Sequence, residues 1–539
     1  MFNKRKFNLV DLVFIILFVI VLIGPVLSGA IESLSGKVEE FKTSSSFNLL
    51  CSKTFKEMEN DLKKFSKKNG INLNITYVDD LEVVDILNTD YKSYDGVWIA
   101  NSIWFYMLDN GSIITDSKSV AIDPVIMGVT RSKASELGLI RDNVTNNDLL
   151  EAVSSGKLHY VMTSVTQTNT GATAFLGFLN SLAGSPDVLT ESIIHDSSLV
   201  SKMSTFFKGV DRVSGDEDYL TEMYLNGKYN AMINYESSFI NLNKRLVSEG
   251  KEPLYLIYPQ DGVALNDMPL AYVSHGQDSK KREFFLEMQS YIRSDEVSLL
   301  MQEKGFRTWF GGVNDNVNKE IFNPDWGIKT GNYLKSFKYP SKKVMNEAFN
   351  LYIDAIRKPT HVVFLFDVSG SMYGEGINEL RDAMTYLLDK EATKADMLQF
   401  SEADKITFIS FNYDVLKVYD TLSGSETDKL TEYLDTLNPV GGTNIYSPSI
   451  EALRILRQVS SNDYTKTIIL MTDGYSNNGT YQELEDYYHK YDLDIPIYSI
   501  TFGSSSESQL NRIASLTNGK VFDGKNGLKA AFKEVRSYN

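Results

Sequence analysis

The sequence predicts an α/β protein in two folded parts, a two-lobed first part and a doubly wound parallel-sheet second part. Three observations carry this. Short apolar strands alternate with amphipathic helices from Phe47 onward. In the C-terminal third, residues 361–366 and 467–472 form runs that are apolar on both faces, as strands buried in a parallel sheet must be. Each of those runs stops at an aspartate, Asp367 and Asp473. A chain of 539 residues is also too long for one core.

The N-terminus sets the compartment. Lys4, Arg5 and Lys6 precede an apolar run over 12–27 that only Gly24 and Pro25 interrupt. Basic residues ahead of an apolar stretch hold the N-terminus in the cytoplasm and send the remainder outward. The run is near the floor of about 17 residues for a spanning helix, and 1–31 reads as one N-terminal transmembrane helix. Ser28-Gly29-Ala30 supplies the small residues of a cleavage site, so a cleaved signal peptide is the other reading. The anchor reading predicts a single-pass protein of the cell membrane, and both readings put the bulk of the chain outside the cytoplasm. Residues 32–46, rich in serine and charge, form a tether. With one cysteine, Cys51, there is no internal disulfide and no cysteine-rich zinc site. A net charge of −16 argues against a nucleic-acid partner, which needs a basic face.

The first lobe opens with a strand at 47–51, a helix at 55–69 and strands at 74–78 and 96–100. Strand, helix, strand in this order implies a parallel sheet, whose ligands bind beyond the carboxyl ends of the strands. That rule makes Ser52 to Thr54 and Asn101-Ser102 a candidate ligand edge. The second lobe has strands at 125–129 and 160–163 and a helix beginning at 149. A run of hydroxyls and amides, from Ser164 through Thr168 and Thr170 to Gly171, precedes a helix at 174–182. Free N–H groups at a helix start can cradle an anion or polar ligand, which suits Thr170 and Gly171. N-capping by Thr168, Asn169 or Thr170 accounts for the same residues without a ligand. The strand 231–236 ends in polar residues that include Tyr235. Residues 254–259 lead back toward the first lobe and 271–273 rejoin it.

These elements, with the turns at 163–171, Val213-Ser214-Gly215-Asp216, Asn234-Tyr235-Glu236 and 258–262, resemble the two-lobe periplasmic solute-binding proteins of bacteria. The resemblance implies a domain over 47–335, two lobes joined by two crossovers, and a small solute in the cleft. Candidate cleft residues are Ser52, Asn101, Ser102, Ser164, Thr168, Thr170, Gly171 and Tyr235. A short, mostly helical connector over 336–359 follows. It allows movement of the lobes to be passed on to the C-terminal part; two independent modules are the alternative.

The run 361–366 leads into Asp367-Val368-Ser369-Gly370-Ser371. Alternate residues leaving a strand point one way, so one carboxylate and two hydroxyls can face one point. Hard divalent cations prefer such oxygen ligands, and hydroxyl ligands leave the ion much of its charge and an open position that a partner's carboxylate can fill. The glycine turn Gly441-Gly442 delivers Thr443 ahead of a helix at 447–459, and 467–472 ends at Asp473. Strands at 406–411 and 497–502 and helices at 377–388, 481–491 and 527–535 complete the pattern. From about 360 to 539 this resembles the von Willebrand factor A domain, a Rossmann-like doubly wound fold. The resemblance implies a metal-ion-dependent adhesion site made of Asp367, Ser369, Ser371, Thr443 and Asp473, holding Mg²⁺ (or Mn²⁺ or Ca²⁺) and a protein ligand that offers a carboxylate.

Enzyme chemistry is not indicated. Gly370-Ser371-Met372-Tyr373-Gly374 is not a nucleophile elbow, no phosphate-binding Gly-Lys loop occurs, and a two-ion hydrolase would need a denser set of carboxylates. The expected function is a membrane-anchored extracytoplasmic binding protein. The alternative is the solute-capturing component of a transport system with the C-terminal domain as its docking module.

Overall fold

The computed structural model describes residues 46–276, 279–331, 337–501, 503, 507–525 and 527–538. The apolar run at 12–27 and the tether lie outside them. Among the described residues no helix is long and apolar enough to cross a membrane.

The first lobe is built on a five-stranded sheet in the order Asn72–Val78, Ser46–Ser52, Gly96–Trp98, Pro269–Val273, Ile114–Ser119. Its first three strands are parallel and the fourth is antiparallel. The second lobe has the order Ala264–Asn266, Ala121–Thr130, Ala231–Tyr235, Tyr160–Thr163, Val210–Ser214, and Leu254–Ile257 and Arg307–Thr308 also pair with Ala121–Thr130. The chain therefore crosses between lobes at Val120 and at Asp267-Met268, and, against the expected two crossovers, a third time before Arg307–Thr308, because the helices Ser279–Ile292 and Asp295–Glu303 pack on the first lobe. The strand Leu254–Ile257, expected to lead toward the first lobe, stays in the second, since its edge is completed by Ala121–Thr130; the return is made by Pro269–Val273. Two helices start earlier than the apolar pattern suggests. Asn146–Ser154 begins at a Thr145/Asp148 capping box, and Asn169–Leu182 begins at the Thr168 cap rather than at 174.

The helix Lys342–Leu351 continues into a π-helical turn, Tyr352–Ile356. It is packed into the second lobe, with the Phe349 and Tyr352 rings 6.0 and 5.2 Å from Phe175 and the Tyr352 ring 5.1 Å from Phe207. Arg357 then pins the chain to the C-terminal domain. It forms a two-pronged pair with Asp404, whose carboxylate also accepts from Thr360 N at 2.7 Å and Ser401 N at 2.8 Å. Asp404 is fully buried, and burial pushes its carboxyl up, but the charge and hydrogen bonds of Arg357, the charge of Arg536 and the Thr360 N–H together hold it below the ordinary value. Removing one partner of such a pair leaves a buried charge, so Asp404→Ala should cost about 3–5 kcal/mol. A depressed carboxyl contributes stability above its unfolded pKa and loses it as pH falls through the folded value. Wild type and variant should thus converge in stability under strong acid, which urea melts across an acid pH series will check.

The C-terminal domain has the sheet order Val415–Val418, Lys405–Phe411, Thr360–Asp367, Thr465–Thr472, Ile497–Thr501, Val521–Asp523, with Leu422–Ser423 on the outer side of Lys405–Phe411. All its core strands are parallel; only the two short strands beside Lys405–Phe411 are antiparallel. Val362 to Phe366 are 0% exposed, buried between two helical layers. Each such side chain stabilises the fold by roughly 1.5–3 kcal/mol. The chain starts at the central strand, winds to one side and then to the other. The reversal falls between Thr360–Asp367 and Thr465–Thr472, so their carboxyl ends flank the crevice of the fold.

This domain docks on the second lobe. Arg212, 3% exposed, donates to Asn518 O at 2.6 Å and Tyr498 Oη at 3.1 Å. Tyr219 Oη also donates to Asn518 O, at 2.8 Å, and Asn518 Nδ2 returns a bond to Met223 O at 2.9 Å. Asp216 accepts from Lys520 Nζ at 3.0 Å and from Tyr538 Oη. At Gly215 an added Cβ would lie 2.1 Å from Ser537 Oγ and 2.4 Å from Tyr538 Cε2, so only glycine permits this close approach.

Candidate functional site

Register brings the first and third segments of the Asp-x-Ser-x-Ser pattern together. Phe366 pairs with Met471, so Asp367 and Thr472 end neighbouring strands and Asp473 follows by one residue. Thr472 Oγ1 donates to Asp367 Oδ2 at 2.6 Å, and Ser369 N donates to Asp367 Oδ1 at 2.8 Å. Ser369 Oγ lies 3.1 Å from Ser371 Oγ, which donates to Asp473 Oδ1 at 2.7 Å. The second segment joins through its backbone. Gly370 N donates to Gly441 O at 2.8 Å and Val440 N to Val368 O at 2.7 Å. Gly441 has φ +89°, which a side chain rarely adopts, and this turn presents Thr443. A Cβ placed on Gly474 would be 3.4 Å from Thr443 Oγ1 and 3.5 Å from Ser371 Oγ, so both hydroxyls border the same space.

Four of the five donors, Asp367, Ser369, Thr443 and Asp473, are buried, and Ser371 is exposed at the rim. Burial raises the Asp367 carboxyl above its ordinary value, and the Asp473 charge adds to this. Burial raises Asp473 as well. Among the described residues neither carboxylate has an ion-pair partner. No group of three or more His, Cys, Asp or Glu side chains suited to a metal occurs among the described residues. The cluster is instead a mixed set of two carboxylates and three hydroxyls. All are hard oxygen donors, the set Mg²⁺ prefers, and two crowded carboxylates without a counter-charge fit a cation.

A second site lies between the lobes, a cleft of about 800 Å³. Of the eight residues predicted for it, Ser52, Thr168 and Tyr235 lie on its wall. Asn101 is buried behind the wall, where its Nδ2 donates to Thr173 Oγ1 at 2.8 Å and Asn266 Oδ1 at 2.9 Å. Ser102 N is held by Asp267 Oδ1 at 2.8 Å. Ser164 borders a separate small cavity at the junction with the C-terminal domain. Thr170 is buried and donates to Glu217, and the Gly171 N–H is taken by the Thr168 cap at 3.0 Å. The Gly171 N–H is therefore not available to an anion, and capping explains it.

Sequence reasoning missed the carboxylates of this wall. Asp80 follows the strand Asn72–Val78 and accepts from Ser52 Oγ at 3.1 Å and Ala100 N at 2.8 Å. Burial pushes its carboxyl up to about 6. Asp123 is bonded to Ser237 N at 3.1 Å and pushed by burial up to about 8. Glu217 comes from the second lobe, and its desolvation, reinforced by Asp80 and Asp216, raises it to about 7. The strand-end rule that singled out Ser52 would also have found Asp80. The C-terminal domain reaches the same wall through Glu534 and Tyr538.

Comparison with known proteins agrees with this architecture. The family model described as von Willebrand factor type A domain matches residues 361–533, and that of bacterial extracellular solute-binding proteins matches 48–307. Both are families of binding or adhesion domains. Among curated relatives, inter-alpha-trypsin inhibitor heavy chain H2 of Mesocricetus auratus is 29% identical over 124 residues, 22% of this chain and 12% of that protein. Heavy chain H3 of Mus musculus is 26% identical over 171 residues, 30% of this chain and 18% of that protein. The chain thus spans less than a fifth of the length of these relatives. Among solved structures, the von Willebrand factor type A protein from Catenulispora acidiphila has 19% identity and a TM-score of 0.30, covering 34% of this chain and 43% of its own. The ferric binding protein from Campylobacter jejuni has 14% identity and a TM-score of 0.43, covering 57% of this chain and 98% of its own.

Proposed function

We propose that this chain, a bacterial solute-binding domain in series with a von Willebrand factor type A domain, is a membrane-anchored extracytoplasmic binding protein that takes a small solute in its cleft and holds a protein partner at a metal site. Asp367, Ser369, Ser371, Thr443 and Asp473 would hold Mg²⁺, with Mn²⁺ or Ca²⁺ as substitutes. A bound ion of this kind supplies a positive centre whose remaining position a partner's carboxylate can take. The observation that carries the reading is the 2.7 Å contact of Ser371 with Asp473, with Thr443 beside them: three distant segments converge on one set of oxygen donors. Asp367 and Asp473 provide the charge that holds a cation, while the three hydroxyls leave that charge incompletely neutralised. Ser371, at the exposed rim, sits where a partner would approach.

Calorimetric titration with Mg²⁺ tests the site. One saturable ion per chain is expected, and no saturable binding would refute the assignment. Topology is checked separately. If the segment 1–31 is retained, the protein stays in the membrane fraction after carbonate extraction. A mature N-terminus found at Ile31 would instead establish cleavage.

A further inference from the structure

The cleft wall gathers more carboxyl groups than its own basic residues can balance. Lys53, the basic residue on the wall, is paired with Asp79 at 2.7 Å, and Asp216 is paired with Lys520 at 3.0 Å. Asp80 and Glu217 have no ion-pair partner among the described residues, while Asp123 has only the more distant charge of Arg307. Carboxyl groups shielded from water without a counter-charge are costly to ionise, and proteins keep such groups where a ligand supplies the missing charge.

A second, independent feature points the same way. Asn266 lies on the wall and is 1% exposed. Its Oδ1 accepts from Asn101 Nδ2 at 2.9 Å, Asn169 Nδ2 at 3.1 Å and Thr173 Oγ1 at 3.2 Å. Two amide donors on that atom fix the orientation of the Asn266 amide. Its Nδ2 is left without a partner, a buried donor that lacks an acceptor. Tyr235 and Phe306 add partly exposed aromatic rings to the wall, surfaces on which an organic cation rests well.

Building on the reading of the cleft as a solute site, we propose that its ligand is a small organic cation, an ammonium or guanidinium compound. It is gripped between Asp80 of the first lobe and Glu217 of the second, and one of its oxygen atoms accepts from Asn266 Nδ2. Because the two carboxylates come from different lobes, one cation bridging them holds the lobes together. Charge selects the class of ligand, and the Asn266 donor favours amino alcohols and zwitterions over simple alkylamines.

The test is thermal stabilisation of the full-length protein in detergent, at saturating Mg²⁺ so that the metal site is constant. The probes are ethanolamine, choline, putrescine and arginine against glucose, succinate and phosphate, with wild type and the Asp80→Asn/Glu217→Gln double variant in parallel. At least one cation should raise the melting temperature, and its affinity should fall roughly tenfold or more in the double variant, which loses two charge-assisted contacts. The ligand-free double variant should melt no lower than wild type, because it sheds two unpaired carboxylates while keeping their shapes; this separates lost binding from lost folding. Stabilisation by glucose, succinate or phosphate alone would overturn the cation assignment and leave the cleft a solute site. A cation effect that persists in the double variant would place the cation elsewhere and overturn it too. No effect from any probe would overturn both readings.

Discussion

Asp367→Ala should weaken Mg²⁺ and Mn²⁺ binding by more than about 100-fold, because it deletes a charged ligand from a set in which three of five donors are neutral. The fold should survive. Asp367 accepts from Ser369 N at 2.8 Å and Thr472 Oγ1 at 2.6 Å, and loss of these acceptors costs about 1–3 kcal/mol. Relief of the crowding between Asp367 and Asp473 offsets part of that cost. Ser371→Ala removes a neutral, exposed hydroxyl and should lower affinity by a smaller factor. The ordering Asp367→Ala well below Ser371→Ala, in calorimetric titrations of proteins with near-wild-type melting, is the expected result. Equal affinity in Asp367→Ala and wild type would mean that the ion binds elsewhere.

The second large effect is expected at Gly215. A valine there meets the ring of Tyr538, and that ring is 2% exposed among Tyr219, Tyr498 and Phe522 with centroids 5.2, 5.5 and 5.2 Å away. Those three rings hem it in, so the C-terminal segment must lift from the second lobe, and its bonds to Asp216 go with it. Overpacking of this kind costs about 1–3 kcal/mol before the lost contacts are counted. In wild type the lobe and the C-terminal domain should melt together, since Arg212, Asp216 and Asn518 tie them. In Gly215→Val the C-terminal domain should separate as a transition of its own, visible by calorimetry. Adding Tyr538→Ala removes the clashing ring, so the double variant should be more stable than the sum of the two single changes predicts. Strict additivity would show that Gly215 and Tyr538 do not meet.

Much of the C-terminal domain was legible because its signals are local. The both-faces-apolar run ending at Asp367, the glycine turn before Thr443 and the second run ending at Asp473 each announce themselves within a few residues. Parallel pairing then brings the first and third together. The cleft was less legible for a physical reason. Asp80, Asp123, Glu217 and Asn266 are ordinary polar residues in four distant segments, and only their surroundings in the fold mark them: raised carboxyls in three, an unpartnered amide donor in the fourth. The hydroxyl run at 164–171 drew attention by composition, yet its Thr168 serves as a helix cap and its Thr170 holds Glu217 in place. Polar residues ahead of an apolar stretch hid the true start of that helix, because the first turn is capped by side chains and needs no apolar face. The docking of the two parts left no periodic trace. It depends on single residues, Arg212 bonded to Tyr498 and Asn518 and a glycine whose missing Cβ admits Ser537 and Tyr538.

The most direct measurement is anomalous diffraction from crystals of the protein grown with Mn²⁺. One strong peak is predicted within bonding reach of the oxygens of Asp367, Ser369, Ser371, Thr443 and Asp473, and it should vanish in Asp367→Ala crystals. A peak among other side chains, or none near these five under saturating Mn²⁺, would contradict a metal-dependent binding site in this protein.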